Sequence, residues 1–238
     1  AGAEVRRGPA GGGAVRGVCR GWWVLMYRCQ CAGDMGGGLF RYLRDQLGDV
    51  NAWLRIEWGT SDWERLRRGG YGSRVVVHGG VAWRLLMLNC VQVASSHADV
   101  PVHRPPAIVR MREPEWKFSF LQHGVIKDDL SRWLNPKRVD LFVTSTPGEQ
   151  EAVAGDYTPY VYTSKEARMT GLPRFDRLLE LGSQVPVEER DLVLVCPTWR
   201  YWLTPPLTVG SQRRVVHDDF LDSEFVRQWM AFLSDERL

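Results

Sequence analysis

The sequence has no long hydrophobic run. Its longest apolar stretch, residues 22–27 (WWVLMY), is far shorter than the roughly 20 residues that a helix needs to cross a bilayer. The first 21 residues lack the apolar segment of a secretory signal peptide and are rich in glycine, alanine and arginine. These absences argue against a transmembrane helix and a cleaved secretion signal. We expect residues 1–21 to form a flexible leader.

Cysteine is scarce and irregularly spaced. The five cysteines form no CxxC pair, which disfavours a disulfide framework and favours a reduced, cytoplasmic setting. A zinc site at Cys19, Cys29 and Cys31 is disfavoured because no histidine lies nearby in the sequence. The net charge of +3 is also too small to indicate nucleic-acid binding. It suits a phosphate-bearing substrate and an anionic membrane surface equally well.

Strands and helices alternate along the first two thirds of the chain. With 44% hydrophobic and 25% charged residues, the composition is ordinary for a globular protein. Ser61 is the expected N-cap of its helix, and four prolines predict a loop over residues 97–115. The alternation predicts an α/β fold with a doubly wound, parallel, Rossmann-type sheet. The predicted strands are residues 22–27, 51–56, 74–77, 91–95, 117–122 and 141–145, and the predicted helices are residues 39–47, 61–68, 81–88 and 149–154.

A second unit is predicted to begin at residue 186. Residues 191–196 form a β-branched run that predicts a strand, and residues 220–233 predict a helix. Because one strand and one helix cannot build a core, we expect residues 186–238 to be the start of an incomplete second domain. The first domain would then span residues 22–185. The absence of an initiating Met leads to the expectation that the chain starts inside a longer reading frame.

The strongest candidate for a functional group is His123. It follows the buried-strand pattern of residues 117–122, and Gly124 after it lets a ligand approach the backbone. Ligands bind at the carboxyl ends of strands in open α/β folds, where an imidazole is well placed for proton transfer. Lys127 would add a cation facing a phosphate. The alternatives are a histidine satisfied by a backbone carbonyl and a solvated lysine paired with an aspartate.

Three further segments contribute candidates. Arg174 and Asp176 lie in residues 171–176 (GLPRFD), where the arginine offers a planar fork for phosphate oxygens. A tight turn with a surface ion pair between these two side chains is the alternative. Thr198 and Arg200 follow the run at residues 191–196 and would meet a phosphate, unless this segment is simply a loop after a strand. Ser145 ends the predicted sixth strand.

Two strand ends add acceptor-side candidates. Asp34 follows the first predicted strand, and the glycines at positions 33 and 36–38 resemble a phosphate cradle without a clean GxGxxG pattern. Ser96 and His97 end the fourth predicted strand. A Ser-His-Asp triad is disfavoured here because triads depend on spatial geometry rather than on sequence neighbours. We expect these side chains to line an acceptor cleft.

Taken in order, these segments resemble the CDP-glycerol glycerophosphotransferase family, the teichoic acid glycerol-phosphate primases and polymerases. The similar segments lie within residues 22–202, and the ordered set is more specific than any single motif. They are residues 120–127 (FLQHGVIK), 140–145 (DLFVTS), 171–176 (GLPRFD) and 197–200 (PTWR).

The resemblance implies a GT-B fold, with two Rossmann-like domains and an active site in the cleft between them. It implies transfer of glycerol phosphate from CDP-glycerol to a hydroxyl of a lipid-linked or polyol-phosphate acceptor, with release of CMP. His123 would be the catalytic base. Lys127, Arg174 and Arg200 would meet the phosphate charge. Residues 22–185 would form the acceptor-side domain and residues 186–238 the start of the donor domain.

The resemblance also implies where in the cell the protein acts, and it leaves two alternative functions open. A lipid-anchored acceptor places such an enzyme at the cytoplasmic face of the membrane as a peripheral protein. We expect no cofactor, no resident metal and no nucleic-acid partner. Family members carry Thr-Pro where Val125 and Ile126 stand here, and their later motifs would fall beyond residue 238. A GT-B glycosyltransferase using a nucleotide sugar and a non-catalytic acceptor-binding fragment remain open as alternatives.

Overall fold

Seven parallel strands form a single sheet in the order β3-β2-β1-β4-β5-β6-β7. The computed structural model describes residues 21–26, 35–197, 200–204 and 217–236. Inter-residue contacts divide the chain into two units, Ala1–Val185 and Pro186–Leu238, and the whole sheet belongs to the first. The strands are β1 (Trp23–Met26), β2 (Ala52–Ile56), β3 (Val75–Val77), β4 (Gln92–Ser95), β5 (Lys117–Phe120), β6 (Leu141–Thr144) and β7 (Ala167–Met169).

Helices flank the sheet, so the predicted α/β class with a parallel, Rossmann-like sheet is confirmed. This architecture is consistent with a GT-B-like fold. Within the described ranges, no helix is both long and apolar enough to cross a membrane. The helices of the first unit are α1 (Met35–Asp45), α2 (Ser61–Arg68), α3 (Val81–Asn89), α4 (Val100–His103), α5 (Pro106–Val109), α6 (Ser131–Leu134), α7 (Pro147–Ala154) and α8 (Pro173–Ser183).

The strands bury side chains on both faces, as expected of a parallel sheet covered by helices. Alternate residues of a strand point to opposite faces. In β1, Val24 and Met26 contribute to one hydrophobic cluster, whereas Leu25 contributes to the other. In β4, Val93 and Ala94 divide between the two clusters in the same way. This double burial explains why the strands read as continuous apolar runs in the sequence.

Two glycines of α1 allow close packing. A Cβ atom at Gly36 would lie 3.1 Å from the carbonyl oxygen of Met26, and one at Gly38 would lie 3.3 Å from that of Pro173. The first contact brings α1 against β1, and the second brings it against the start of α8. The glycines at positions 36–38 thus lie in the first turn of a helix, where Gly36 and Gly38 allow close packing. Gly33 lies outside the described residues.

Prolines start helices in two places where the sequence predicted a loop or a turn. Residues 97–115 contain α4, with Pro101 as its second residue, and α5, with Pro106 as its first. Pro173 likewise opens α8. Proline is tolerated at a helix start because its missing N–H has no helical partner there. The predicted N-cap of α2 is also corrected, since Thr60, and not Ser61, accepts the hydrogen bond from the amide of Trp63.

The second unit differs from its prediction. Residues 191–197 form no strand, and the side chains of Leu192, Val193 and Leu194 are largely exposed. A β-branched run becomes a strand only beside a hydrogen-bonding partner strand, and none is paired with it in the described part of the chain. The predicted helix at residues 220–233 is divided into a 3-10 turn (Phe220–Asp222) and α9 (Glu224–Leu233). Ser223 separates them and caps α9.

The histidine that follows β3 gives the fold a pH dependence. His78 packs edge-on against Trp83, and burial, aided by the charge of Arg55, lowers its pKa from 6.5 to about 4. Between these values the unfolded chain binds the proton more readily, so stability falls as pH drops from about 6.5 to about 4.

We therefore expect the free energy of unfolding of His78→Asn to fall less than that of the wild type as the pH drops. Because the side chain is only half-buried, the effect on the free energy of unfolding is on the order of 1 kcal/mol between pH 7 and 4. Urea unfolding of both proteins at several pH values measures it. Parallel stability curves for the wild type and the variant would contradict the assignment.

Candidate active site

The strand order creates a topological switch point between β1 and β4. From β1 the chain continues to β2 and β3 on one side, and from β4 it continues to β5, β6 and β7 on the other. Crevices at the carboxyl ends of strands flanking such a point are the usual ligand sites of open α/β sheets. Ser96 and His97 follow β4, and His123 follows its neighbour β5. The sheet therefore brings these residues together at one edge.

A left-handed turn delivers His123 to that edge. Strand β5 ends at Phe120, two residues earlier than predicted, and Leu121 remains buried. Gln122 then has a φ of 57°, which is uncommon for a residue other than glycine. Its own side chain is buried, but His123 directly after it is exposed to solvent. The imidazole therefore points out of the sheet edge and not into the core.

A hydrogen bond sets the tautomer of His123. Its Nδ1 lies 3.4 Å from the carbonyl oxygen of Ser96. Because a carbonyl oxygen only accepts, this contact requires the proton on Nδ1 and leaves Nε2 as the basic nitrogen. The backbone-carbonyl partner considered in the sequence is thus present. It is compatible with a role as base because it uses only one of the two ring nitrogens.

A second imidazole lies against the first. The rings of His97 and His123 stack with centroids 4.8 Å apart and planes inclined by 14°. His97 is buried, and its backbone amide donates to the hydroxyl of Ser95 at 3.1 Å. Ser96 is buried as well. These two residues therefore support His123 from beneath and are not the open cleft lining that the sequence predicted.

Arg174 approaches the same loop from α8. Gly171 turns the chain after β7 with a φ of +78°, Leu172 is buried, and Pro173 begins the helix. A Cβ atom placed on Gly124 would lie 3.9 Å from an Nη of Arg174. The guanidinium therefore faces the open side of Gly124, next to His123. A cation and an imidazole at one strand edge can together bind a phosphate and accept a proton.

Lys127 and Asp176 lie at the periphery of this group. Lys127 is highly exposed, with its ammonium 3.8 Å from a carboxylate oxygen of Asp128, and the next helix, α6, begins at Ser131. Asp176 lies exposed in the first turn of α8. Ser145 is engaged with Glu149, which accepts hydrogen bonds from its amide at 2.7 Å and from its hydroxyl at 3.0 Å.

Of the remaining predicted site residues, Arg200 belongs to the second unit. Its guanidinium lies 4.9 Å from the ring centroid of Phe225 and 5.9 Å from that of Trp202. Asp34 and Thr198 lie outside the described residues. Within the part of the chain that the structure describes, no group of three or more His, Cys, Asp or Glu side chains is placed to hold a metal ion.

Two buried side chains beneath the loop were missed by the sequence interpretation. Glu149 is 5% exposed and Gln122 is 2% exposed, and they hydrogen-bond to each other at 3.0 Å. Residues 146–149 (TPGE) do carry a recognisable signal, the spacing of a helix capping box. Thr146 indeed caps α7 by accepting from the amide of Glu149 at 3.1 Å. The capping pattern gives no hint that the carboxylate reaches the loop after β5.

The fold and site together define a Rossmann-like α/β protein with an imidazole and a guanidinium at the carboxyl edge of its sheet. No protein-family model matches the chain. The chain is similar to the minor teichoic acid biosynthesis protein GgaB of Bacillus subtilis (strain 168), with 29% identity over 222 residues. The matched region is 91% of this chain and 23% of GgaB, so the chain spans about a quarter of that relative's length. The match confirms the resemblance to a teichoic acid glycerophosphotransferase-like family that the ordered motifs indicate.

Proposed function

We propose that this protein acts in the synthesis of a teichoic-acid-type cell-wall polymer. The finer proposal is transfer of glycerol phosphate from CDP-glycerol to a hydroxyl of a lipid-linked or polymeric acceptor. The observation that carries it is the exposed imidazole of His123, with Nδ1 turned to a backbone carbonyl and Arg174 beside the following glycine. The similarity to GgaB supports the polymer-synthesis role.

In the proposed reaction, Nε2 of His123 accepts the proton of the acceptor hydroxyl. A primary alcohol is a weak nucleophile at neutral pH, so a positioned base lowers the barrier. The acceptor oxygen forms a bond to the β-phosphorus of CDP-glycerol, and the bond from that phosphorus to the bridging oxygen breaks. CMP leaves with the electron pair.

Negative charge on the transferred phosphoryl group and on CMP requires cations nearby. Arg174 is the best-placed candidate because its guanidinium faces Gly124, where a missing side chain leaves room for a phosphate. Lys127, exposed on the same loop, would contribute at longer range. Asp34, Asp176, Thr198 and Arg200 remain proposed contacts to substrate.

A lipid-linked acceptor would bring the protein to the cytoplasmic face of the membrane. Basic side chains attract anionic headgroups within about 8 Å at physiological salt. We propose a peripheral association of this kind, guided by the acceptor.

Release of CMP from CDP-glycerol tests the proposed chemistry. We expect the full-length protein, supplied with a polyol-phosphate or lipid-linked acceptor, to release CMP and to lengthen the acceptor by glycerol phosphate. Cytidine nucleotides should compete with the donor, whereas UDP should not. Chromatographic measurement of CMP, with mass analysis of the acceptor, checks this.

The contrary outcomes identify the alternatives. Release of UDP from a UDP-sugar, with competition by uridine nucleotides, would indicate a glycosyltransferase on the same fold. Acceptor binding without release of any nucleotide would indicate a non-catalytic module.

A further inference from the structure

We propose that Glu149 is a positioning residue that clamps the loop carrying His123. Glu149 lies on α7, after β6, and does not face solvent. Its carboxylate connects the neighbouring strand ends of β5 and β6 at the carboxyl edge of the sheet. The statement that Glu149 positions a catalytic base rests on the proposed function. The statement that Glu149 holds the two loops together does not depend on that function.

Four hydrogen bonds end on this carboxylate. Oε1 accepts from the side-chain amide of Gln122 at 3.0 Å and from the backbone amide of Ile126 at 2.8 Å. Oε2 accepts from the amide and the hydroxyl of Ser145, at 2.7 and 3.0 Å. One oxygen therefore holds the loop after β5, and the other holds the loop after β6. His123 and Gly124 lie in the sequence between Gln122 and Ile126, the two residues that donate to Oε1.

The set of partners requires a carboxylate. Backbone and side-chain amides only donate through their N–H groups, so each oxygen must accept. A glutamine at this position has the same shape but would turn an NH₂ group either toward the amides of Gln122 and Ile126 or toward the amide of Ser145. Buried donors left without an acceptor are costly, and donors that face each other repel. Glu149→Gln therefore weakens the clamp with almost no change in volume.

The amide of Gln122 reinforces the same arrangement. It also donates to the carbonyl oxygen of Val143 in β6 at 2.7 Å. These two bonds hold a residue with a φ of 57° in a conformation that would otherwise be disfavoured. Because His123 is the next residue, the direction of its side chain depends on this turn. A shift of about 1 Å at a catalytic group can reduce turnover about 100-fold.

Hydrogen exchange of the full-length protein tests the clamp without any substrate. We expect Glu149→Gln to accelerate exchange at the backbone amides of Ile126 and Ser145 by about tenfold, with the amides of β1 and β4 unchanged. The matched control is Glu151→Gln, an exposed glutamate two residues further along α7 that loses the same charge. It should leave both amides at their wild-type rates.

Steady-state kinetics test the link to catalysis. We expect Glu149→Gln to lower kcat about tenfold while KM for the donor stays within about twofold, because the clamp orients the base and does not touch the donor. The milder Gln122→Gly, which suits a positive φ and removes the amide, should lower kcat in the same direction by a few fold. If Glu149→Gln folds poorly, Gln122→Gly serves as the second variant for the same test.

The outcomes are separable. Unchanged exchange at Ile126 and Ser145 in Glu149→Gln would overturn the clamp. Faster exchange across the whole sheet, with KM rising as kcat falls, would overturn positioning in favour of a general structural role. If the wild-type protein releases no CMP at all, the proposed function fails, and the exchange measurement still decides whether the clamp exists.

Discussion

Replacing His123 with alanine should nearly abolish CMP release from CDP-glycerol while leaving the fold intact. The side chain is exposed, and its hydrogen bond to the carbonyl oxygen of Ser96 is long, so its loss removes little packing. A positioned general base contributes about 10²- to 10⁴-fold to the rate, and we expect kcat to fall within that range. Because Nε2 of His123 would act on the acceptor hydroxyl, donor affinity should change little.

The control for this prediction is His217→Ala. His217 is an exposed histidine of the second unit, and its replacement should leave turnover close to the wild-type value. The measurement is the initial rate of CMP release at saturating CDP-glycerol, with circular dichroism to verify the fold. Retention of wild-type turnover by His123→Ala would refute its assignment as base.

Replacing Arg174 with alanine should weaken the use of the donor by about 10- to 100-fold in kcat/KM. This range corresponds to the roughly 1.5–3 kcal/mol of a hydrogen bond to a charged group. The guanidinium faces Gly124, beside the proposed base, so its loss leaves phosphate charge unmatched. Arg174→Lys should recover only part of the loss, since an ammonium lacks the planar fork of a guanidinium.

Arg177 provides the matched control on the same helix. It is exposed and forms an ion pair with Glu180 at 2.7 Å, and such surface pairs contribute little. Arg177→Ala should therefore keep kcat/KM within about twofold of the wild type. Equal losses for the two variants would show that α8 contributes general charge or stability, and not a specific phosphate contact.

The strands were predictable from sequence where both faces of the sheet are covered by helices. Residues 23–26 and 141–144 read as largely apolar runs because most of their side chains are buried, on both faces of the sheet. Strand β7 was missed because it has only three residues and exposes Arg168 and Met169. Residues 191–196 show the converse error, since a high strand propensity does not produce a strand without a partner.

The reactive residues of the site could be predicted from the sequence, but most of their contacts with neighbouring residues could not. His123 and Arg174 could be selected because an imidazole after a strand and an arginine after a Gly-Leu-Pro turn have recognisable chemical uses. The stacking of His97 and the reach of Glu149 depend on which strands are neighbours. That order places β4, β5 and β6 side by side, and no local pattern encodes it. For this reason, buried supporting residues escape sequence interpretation more often than exposed reactive ones.

The position of Arg174 depends on the absence of a Cβ atom at Gly38, which lies in a different helix. Gly38 of α1 approaches the carbonyl oxygen of Pro173 so closely that even one methyl group there would press on the residue just before Arg174. A backbone neighbour cannot swing aside as a flexible side chain can, so a larger residue would force the start of α8 outward. The spacing between the guanidinium and the imidazole thus depends on the size of a residue in α1 that makes no proposed contact with substrate.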